Sequence, residues 1–142
     1  MSDDAVRLTR IGDQPLDPDE VEKAVTGPEH GAVVVFTGKV RDHDGGQAVS
    51  ALEYSAHPHA ERFLHRVCAE VAAASGLPVA AVHRVGPLVV GDLAIVVAVA
   101  APHRAEAFRT CADLVDRIKH EVPIWKRQRF ADGMSEWVGA CG

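Results

Sequence analysis

The sequence predicts one domain that mixes helices with strands, and three observations carry that reading. Two stretches place apolar residues at the three–four spacing of a helix with one buried face: Ala60, Phe63 or Leu64, Val67, Val71 and Ala74, then Phe108, Cys111, Val115, Ile118 and Val122. Two others, Ala32 to Phe36 and Leu93 to Val99, are near-continuous apolar runs of strand length, the pattern of strands covered on both faces. The third is size: 142 residues, 47% of them apolar and 25% charged, suit a single globular unit over residues 1–142 with no interdomain linker, repeat or low-complexity tract.

Taken in order, a first short strand is predicted around Val6 to Ile11. Asp17-Pro18-Asp19-Glu20 reads as a helix start, with an acid at the N-cap, proline at the first helical position and a glutamate three after the cap; Gly27-Pro28 stops that helix near Val25. Gly31 to Val40 is a strand whose apolar run predicts a central place in its sheet. Asp44-Gly45-Gly46 signals a turn into a strand over Val49 to Ala56, and Gly38 permits a bulge or a close backbone approach. A helix follows from Pro58 to about Ser75, ended by Gly76 and Pro78. Val79 to Val85 and Leu93 to Ala101 are two further strands, linked through the apolar piece Leu88-Val89-Val90. Pro102-His103-Arg104 opens the long helix that Val122-Pro123 must end, because proline lacks the N–H and crowds the residue before it. Beyond it Ile124-Trp125-Lys126 is extended, Asp132-Gly133 turns, and Ser135 to Val138 is a last strand. Trp125 reads as a core or interface anchor.

The chemistry concentrates at that helix stop. The chain carries a formal net charge of −5, yet Arg117, Lys119, Lys126, Arg127 and Arg129 face a single acid, Glu121, so the segment attracts anions locally. Basic residues in a last helical turn also simply favour the helix dipole, and on charge alone that plainer reading is preferred. The apolar spacing argues differently for Lys119, which lies beside Ile118 and four residues past Val115; a lysine bordering a buried stripe is partly desolvated. Period two puts Lys126 and Gln128 on one strand face and Trp125 and Arg127 on the other. Lys39 and Arg41 share a face at the end of their strand, and His103-Arg104 at a helix N-terminus is a seat for a phosphate. Each of these pairs also has a plain reading, as a polar strand end or as a cap with an intrahelical ion pair.

Several classes are disfavoured. No apolar run spans a bilayer, and the acidic start Met-Ser-Asp-Asp lacks the pattern of a signal peptide, so a cytoplasmic protein is expected. Cys68, Cys111 and Cys141 are odd in number and far apart, against a disulfide framework or a zinc knuckle, and His57, His59 and His65 lack metal-ligand spacing. Neither a metal nor a cofactor is expected. An RNA-binding use of residues 117–129 is opposed by the acidic balance and by an aromatic content of 5%.

The set Phe36-Thr37-Gly38-Lys39-Val40-Arg41, Leu52-Glu53-Tyr54, His83-Arg84-Val85-Gly86, Gly91-Asp92, His103-Arg104-Ala105-Glu106-Ala107-Phe108, Lys119 and Pro123-Ile124-Trp125-Lys126 resembles the large, catalytic subunit of molybdopterin synthase, in order and over roughly residues 30–138. The resemblance implies an α+β fold of the α/β-hammerhead type, with a mostly antiparallel sheet and two main helices. It implies a homodimer in which each copy binds a small ubiquitin-like sulfur-carrier subunit, whose thiocarboxylated C-terminus delivers two sulfurs in turn to a cyclic pyranopterin monophosphate. On this resemblance Lys119 and Lys126 are catalytic. Lys39, Val40, Arg41, His103 and Arg104, with Lys119, Lys126, Arg127 and Gln128, bind the pterin substrate. The chain departs from the family's pattern at Ser55 and His57, and at Gln128, where an acid often stands. The last departure motivates a competing reading as a non-catalytic anion-binding scaffold.

Overall fold

The computed structural model describes residues 5–44, 46–130 and 135–139. The strands are β1 (Val6–Gly12), β2 (Ala32–Lys39), β3 (His43–Asp44), β4 (Gln47–Ala56), β5 (Val79–Arg84), β6 (Gly86–Val89), β7 (Leu93–Ala101), β8 (Ile124–Phe130) and β9 (Ser135–Gly139). The helices are α1 (Pro18–Val25), α2 (Ala60–Ser75) and α3 (Arg104–Glu121). The expected turn at Asp132-Gly133 lies outside the described residues.

One sheet has the order β1-β5-β7-β2, parallel between β1 and β5 and antiparallel otherwise. The other has the order β3-β4-β8-β9, with β6 added to β4, and all its pairings are antiparallel. The architecture is therefore α+β with mostly antiparallel sheet and two long helices. Strand β7 is buried along nearly its whole length because it has a strand on each side and a helix layer on each face. On one face α2 and α3 pack over Val79, Ala81, Val97 and Val99; on the other α1 covers Ala80, Val82, Val96 and Ala98.

Local chemistry sets the helix ends. Asp17 caps α1 by accepting from the Asp19 N–H at 3.0 Å, with Pro18 in the first turn. The chain leaves α1 at Thr26, already extended, before Gly27 is reached. Helix α2 begins two residues later than expected, at Ala60, so Pro58 precedes it; Gly76 ends it in the left-handed region, at φ 75°. Arg117 ties α3 to α2 by pairing with both Glu121 and Glu70, which takes one cation of the basic segment into the scaffold.

Five expectations need correction. Among the described residues strand β2 is an edge strand, not a central one: β7 flanks it on one side only, and its apolar residues are half-buried. Phe108 stands 62% exposed beside that edge, while Ala107, Thr110 and Leu114 join Cys111, Val115 and Ile118 in the buried stripe of α3. In α2, Leu64 rather than Phe63 is buried, and Cys68 and Ala72 replace Ala74. Trp125 is 44% exposed and so anchors no core within one chain. Leu88-Val89, expected only as a linker, forms most of strand β6.

Candidate functional site

The second sheet holds a cleft built by three devices. The first is a backbone clamp on Val40. The turn before β7, with Gly91 at φ 94°, accepts the Val40 N–H on the Asp92 carbonyl at 3.0 Å and donates the Gly91 N–H to the Val40 carbonyl at 2.9 Å. Asp92 holds the turn in shape by accepting from the Val89 N–H at 3.0 Å. Val40 is thereby buried with Leu52, Leu88 and Ala94, and its neighbours Lys39 and Arg41 are left to line the cleft.

The second device is a bulge. The β2–β7 register slips between Gly38 and Lys39, and a Cβ at Gly38 would come within 2.7 Å of the Ile95 side chain. Only glycine lets β2 approach β7 so closely at the point where Lys39 is re-aimed.

The third is the β4–β8 ladder. Lys126 lies opposite Tyr54 and Gln128 opposite Leu52, and all four line the cleft with Lys39, Val40 and Arg41. Gln128 is buried at 2% exposure, a polar amide on the cleft floor. His43 and Val49 complete the wall, with His43 Nδ1 2.7 Å from the Asp42 carboxylate, which that contact holds below its ordinary range. Period two has the expected result: Arg127, opposite Glu53, faces away and lines a separate hollow with Ala51 and Pro87.

Lys119 reaches this region from the other side. Helix α3 stops at Val122, whose backbone is extended, and β8 starts at Ile124, opposite Ala56. Lys119 is exposed, not desolvated as expected, because one residue past Ile118 the helix has already turned its side chain out of the buried stripe. Its positive charge nevertheless acts on the ring of His83, and that ring meets Tyr54 edge to face at 4.9 Å between centroids. Lys119 and Lys126 thus flank one aromatic pair. Burial, joined by the Lys119 charge, lowers the His83 pKa to about 4, and burial raises that of Tyr54. Sequence reasoning quoted His83 and Tyr54 within motifs but assigned them no role. The signal was available, since His83 is a polar residue in the apolar run of β5 and Tyr54 is the chain's only tyrosine.

His103 and Arg104 lie elsewhere. They follow Ala101, which pairs with Ala32 at the start of β2, whereas Lys39 pairs with Leu93 at its end. Seven strand steps of about 3.4 Å separate the two positions by about 24 Å. His103 makes no side-chain cap to α3, so the capping role considered for it is not observed.

Among the described residues no group of three His, Cys, Asp or Glu side chains is arranged to hold a metal, and no helix is long and apolar enough to cross a membrane.

Comparison with known proteins places this geometry. The family model described as MoaE protein matches residues 11–121. The molybdopterin synthase catalytic subunit 1 of Mycobacterium tuberculosis is 44% identical over 141 residues, covering 98% of this chain and 95% of that protein. The crystal structure of molybdopterin synthase from Staphylococcus aureus superposes with a TM-score of 0.86 at 38% identity, over 92% of this chain and 96% of that one. A complex of subunits 1 and 2 of the molybdopterin-converting factor from Helicobacter pylori superposes at 0.71 over 92% of this chain and 88% of that one; at 20% identity that likeness speaks for the fold alone. Matched over most of its length by the family model and over nearly all of it by a close relative, the chain belongs to the MoaE protein family.

Proposed function

We propose that this chain is the catalytic subunit of a molybdopterin synthase, receiving sulfur from the thiocarboxylated C-terminus of a small ubiquitin-like carrier and placing it on a cyclic pyranopterin monophosphate. The observation that carries the reading is the β4–β8 register, which sets Lys126 and Gln128 beside Lys39 and Arg41 in one cleft, with Lys119 on the far side of the Tyr54–His83 pair. Both reactants are anions, and cations fixed in place beforehand offset the repulsion between them. Arg41 suits a phosphate through its planar fork, and Lys39 adds a point charge. In each transfer the sulfur bonds to a pterin side-chain carbon as a carbon–oxygen bond at that carbon breaks, its oxygen leaving with the phosphate or as water, and water then cuts the acyl–sulfur bond and leaves the carrier as its carboxylate. Lys119 and Lys126 act where charge builds up on that acyl group. Gln128 contributes hydrogen bonds without cancelling a cation. Arg127, facing the other side of the sheet, is assigned no contact with the pterin.

His103 and Arg104 enter this site through a second copy of the chain. Strand β2 is an edge whose first five residues read Ala-Val-Val-Val-Phe, with no lysine or proline to guard it before Lys39 at its far end, and Phe108 and Ala112 flank it. Two β2 strands paired antiparallel about a two-fold axis cover that edge. They also bring the Ala32 end of one copy, with its His103 and Arg104, beside the Lys39 end of the other. A cytoplasmic location belongs to the same reading and is supported by the free, buried thiols of Cys68 and Cys111.

The test is reconstitution: the purified chain, a thiocarboxylated carrier and the cyclic pyranopterin monophosphate should yield molybdopterin. Binding of the pterin without turnover would favour a non-catalytic scaffold instead.

A further inference from the structure

Arg84, the last residue of β5, is a poor contributor to stability by its own contacts. Its side chain is only 18% exposed, and its Nε is buried without a hydrogen bond among the described residues. Its Nη1 donates to Asp92 Oδ2 at 3.5 Å, a long contact. Taking a guanidinium out of water costs free energy, and one long ion pair beside an orphaned Nε offsets little of it. Apolar residues of similar volume often hold a fold as firmly as a buried ion pair. What the pair does fix is the turn between β6 and β7. The same Asp92 Oδ2 accepts from the Val89 N–H at 3.0 Å, and the Asp92 N–H donates to the Val89 carbonyl at 3.0 Å. That turn holds the end of β2. The β2–β7 ladder finishes at Lys39 and Leu93, and beyond it the Asp92 carbonyl accepts the Val40 N–H while the Gly91 N–H donates to the Val40 carbonyl. Val40 stands between Lys39 and Arg41, which line the cleft. One carboxylate thus connects the end of β5 to the stretch of backbone that carries both cations.

We propose that Arg84 and Asp92 are positioning residues for the pterin phosphate: their ion pair fixes the Gly91 turn to the end of β5, and the turn, through its two bonds to Val40, sets the aim of Lys39 and Arg41. The pair acts through the backbone, and its opposite charges add little net charge of their own. Cations held in place beforehand bind an anion without reorganising, whereas cations on a loosely held strand end spread over many positions. An ion pair that contributes little to folding can therefore still decide affinity. The inference rests on the reading that Lys39 and Arg41 hold the pterin phosphate.

Arg84→Met separates positioning from stability. Methionine fills much of the arginine's volume without its charge, so the midpoint of thermal unfolding should hold or rise. The dissociation constant of the cyclic pyranopterin monophosphate should nevertheless rise about ten-fold in calorimetry, within the range of coupling between residues of one network. Asp92→Asn keeps an oxygen for the Val89 N–H and loses only the charge facing Arg84, so it should weaken the pterin less than Asp92→Ala, which loses both. In all three variants kcat at saturating pterin and the affinity for the carrier should stay nearly unchanged. In a Lys39→Ala/Arg41→Ala background, Arg84→Met should weaken the pterin no further, because the groups it aims are gone. Amide hydrogen exchange gives a readout that needs no ligand: the Val40 N–H should exchange faster in Arg84→Met than in the wild type. A large loss of thermal stability in Arg84→Met, unchanged pterin affinity, an affinity loss that persists in the Lys39→Ala/Arg41→Ala background, or unchanged Val40 exchange would each overturn the proposal alone. Wild-type protein that binds no pterin would overturn the phosphate reading, and the proposal with it.

Discussion

Tyr54 and His83 meet edge to face, with ring centroids 4.9 Å apart and planes at 77°, and this contact joins the two sheets beside Lys126, which lies opposite Tyr54 on the neighbouring strand. Tyr54 belongs to the second sheet and packs on both the α2/α3 core and the small core around Val40, while His83 belongs to the first sheet. Tyr54→Phe keeps the ring contact and is expected to unfold within about 1 kcal/mol of the wild type, since only the hydroxyl is lost. Tyr54→Ala leaves a hole between the sheets and should cost about 2–4 kcal/mol in urea denaturation. It should also reduce activity more than its stability loss explains, by releasing Lys126 and the His83 ring together. A Tyr54→Ala protein with wild-type activity would separate the contact from the site.

His83 also makes stability depend on pH, and the sign follows from which state binds the proton. Unfolded, the imidazole takes a proton near pH 6.5; folded, it resists until about pH 4. Between these values the unfolded chain binds more protons, so stability falls as pH drops through that window. The shift corresponds to a loss on the order of 3 kcal/mol by pH 4. The carboxylates of Glu20, Asp42 and Glu121, held low by their partners, add to acid unfolding in the same direction. Comparison with His83→Asn isolates the histidine: the difference in stability between the two proteins should narrow as pH falls from 6.5 to 4. A constant difference would mean that His83 titrates normally in the folded chain.

Much of this architecture was legible in the sequence because local rules and the tertiary fold agree. The Asp17-Pro18 start, the Gly76 stop and the Val122-Pro123 break act through a few neighbouring residues, and each appears at or within two residues of its expected place. The period-two division of Lys126 and Gln128 from Trp125 and Arg127 likewise needs only strand geometry. What failed depended on neighbours distant in sequence. An apolar run marks burial but not what provides it, so β2 was expected at the centre of a sheet when its apolar edge is open in a single chain. Phe108 fits the three–four spacing of α3, yet that spacing cannot tell the core side of a helix from a flank beside an open edge. The separation of the His103 end of β2 from its Lys39 end, seven strand steps or about 24 Å, follows from the antiparallel β2–β7 register, which no local pattern reveals.

The open β2 edge yields an assembly prediction. Val34, Val35 and Phe36 form one apolar groove with Phe108, Cys111 and Ala112 along that edge. The wild-type chain should run as a dimer in light scattering at micromolar concentration, and Phe108→Asp should shift it to monomer with its helix content retained. If His103 and Arg104 act across that contact, the monomeric variant should also bind the pterin phosphate poorly although every cleft residue of its own chain is intact. A monomeric wild type, or a monomeric variant with normal affinity, would exclude the shared site. Within the dimer, Arg41→Ala and Arg104→Ala should each weaken the pterin by about 1.5–3 kcal/mol in calorimetry while carrier binding stays nearly unchanged.

Lys119 offers the sharpest test of the chemistry. Its amine is exposed at the end of α3, so its substitution removes no core packing, and Lys119→Ala should keep the wild-type circular dichroism spectrum and still bind the carrier. Molybdopterin formation should nevertheless nearly vanish, because the thiocarboxylate and the pterin phosphate repel each other unless a cation stands between them. Lys119→Arg distinguishes what kind of help is given. Arginine supplies charge but stays protonated, whereas a lysine amine that sheds its proton can attack the acyl carbon or carry a proton. Substantial activity in the arginine variant would assign Lys119 an electrostatic role. Loss in both variants, with carrier and pterin still bound, would assign it a nucleophilic or proton-transfer role, and a trapped amide between Lys119 and the carrier's C-terminus, visible as a mass shift, would then identify the nucleophile. Near-wild-type turnover in Lys119→Ala would remove the residue from the reaction and leave Lys126 as the only candidate catalytic lysine.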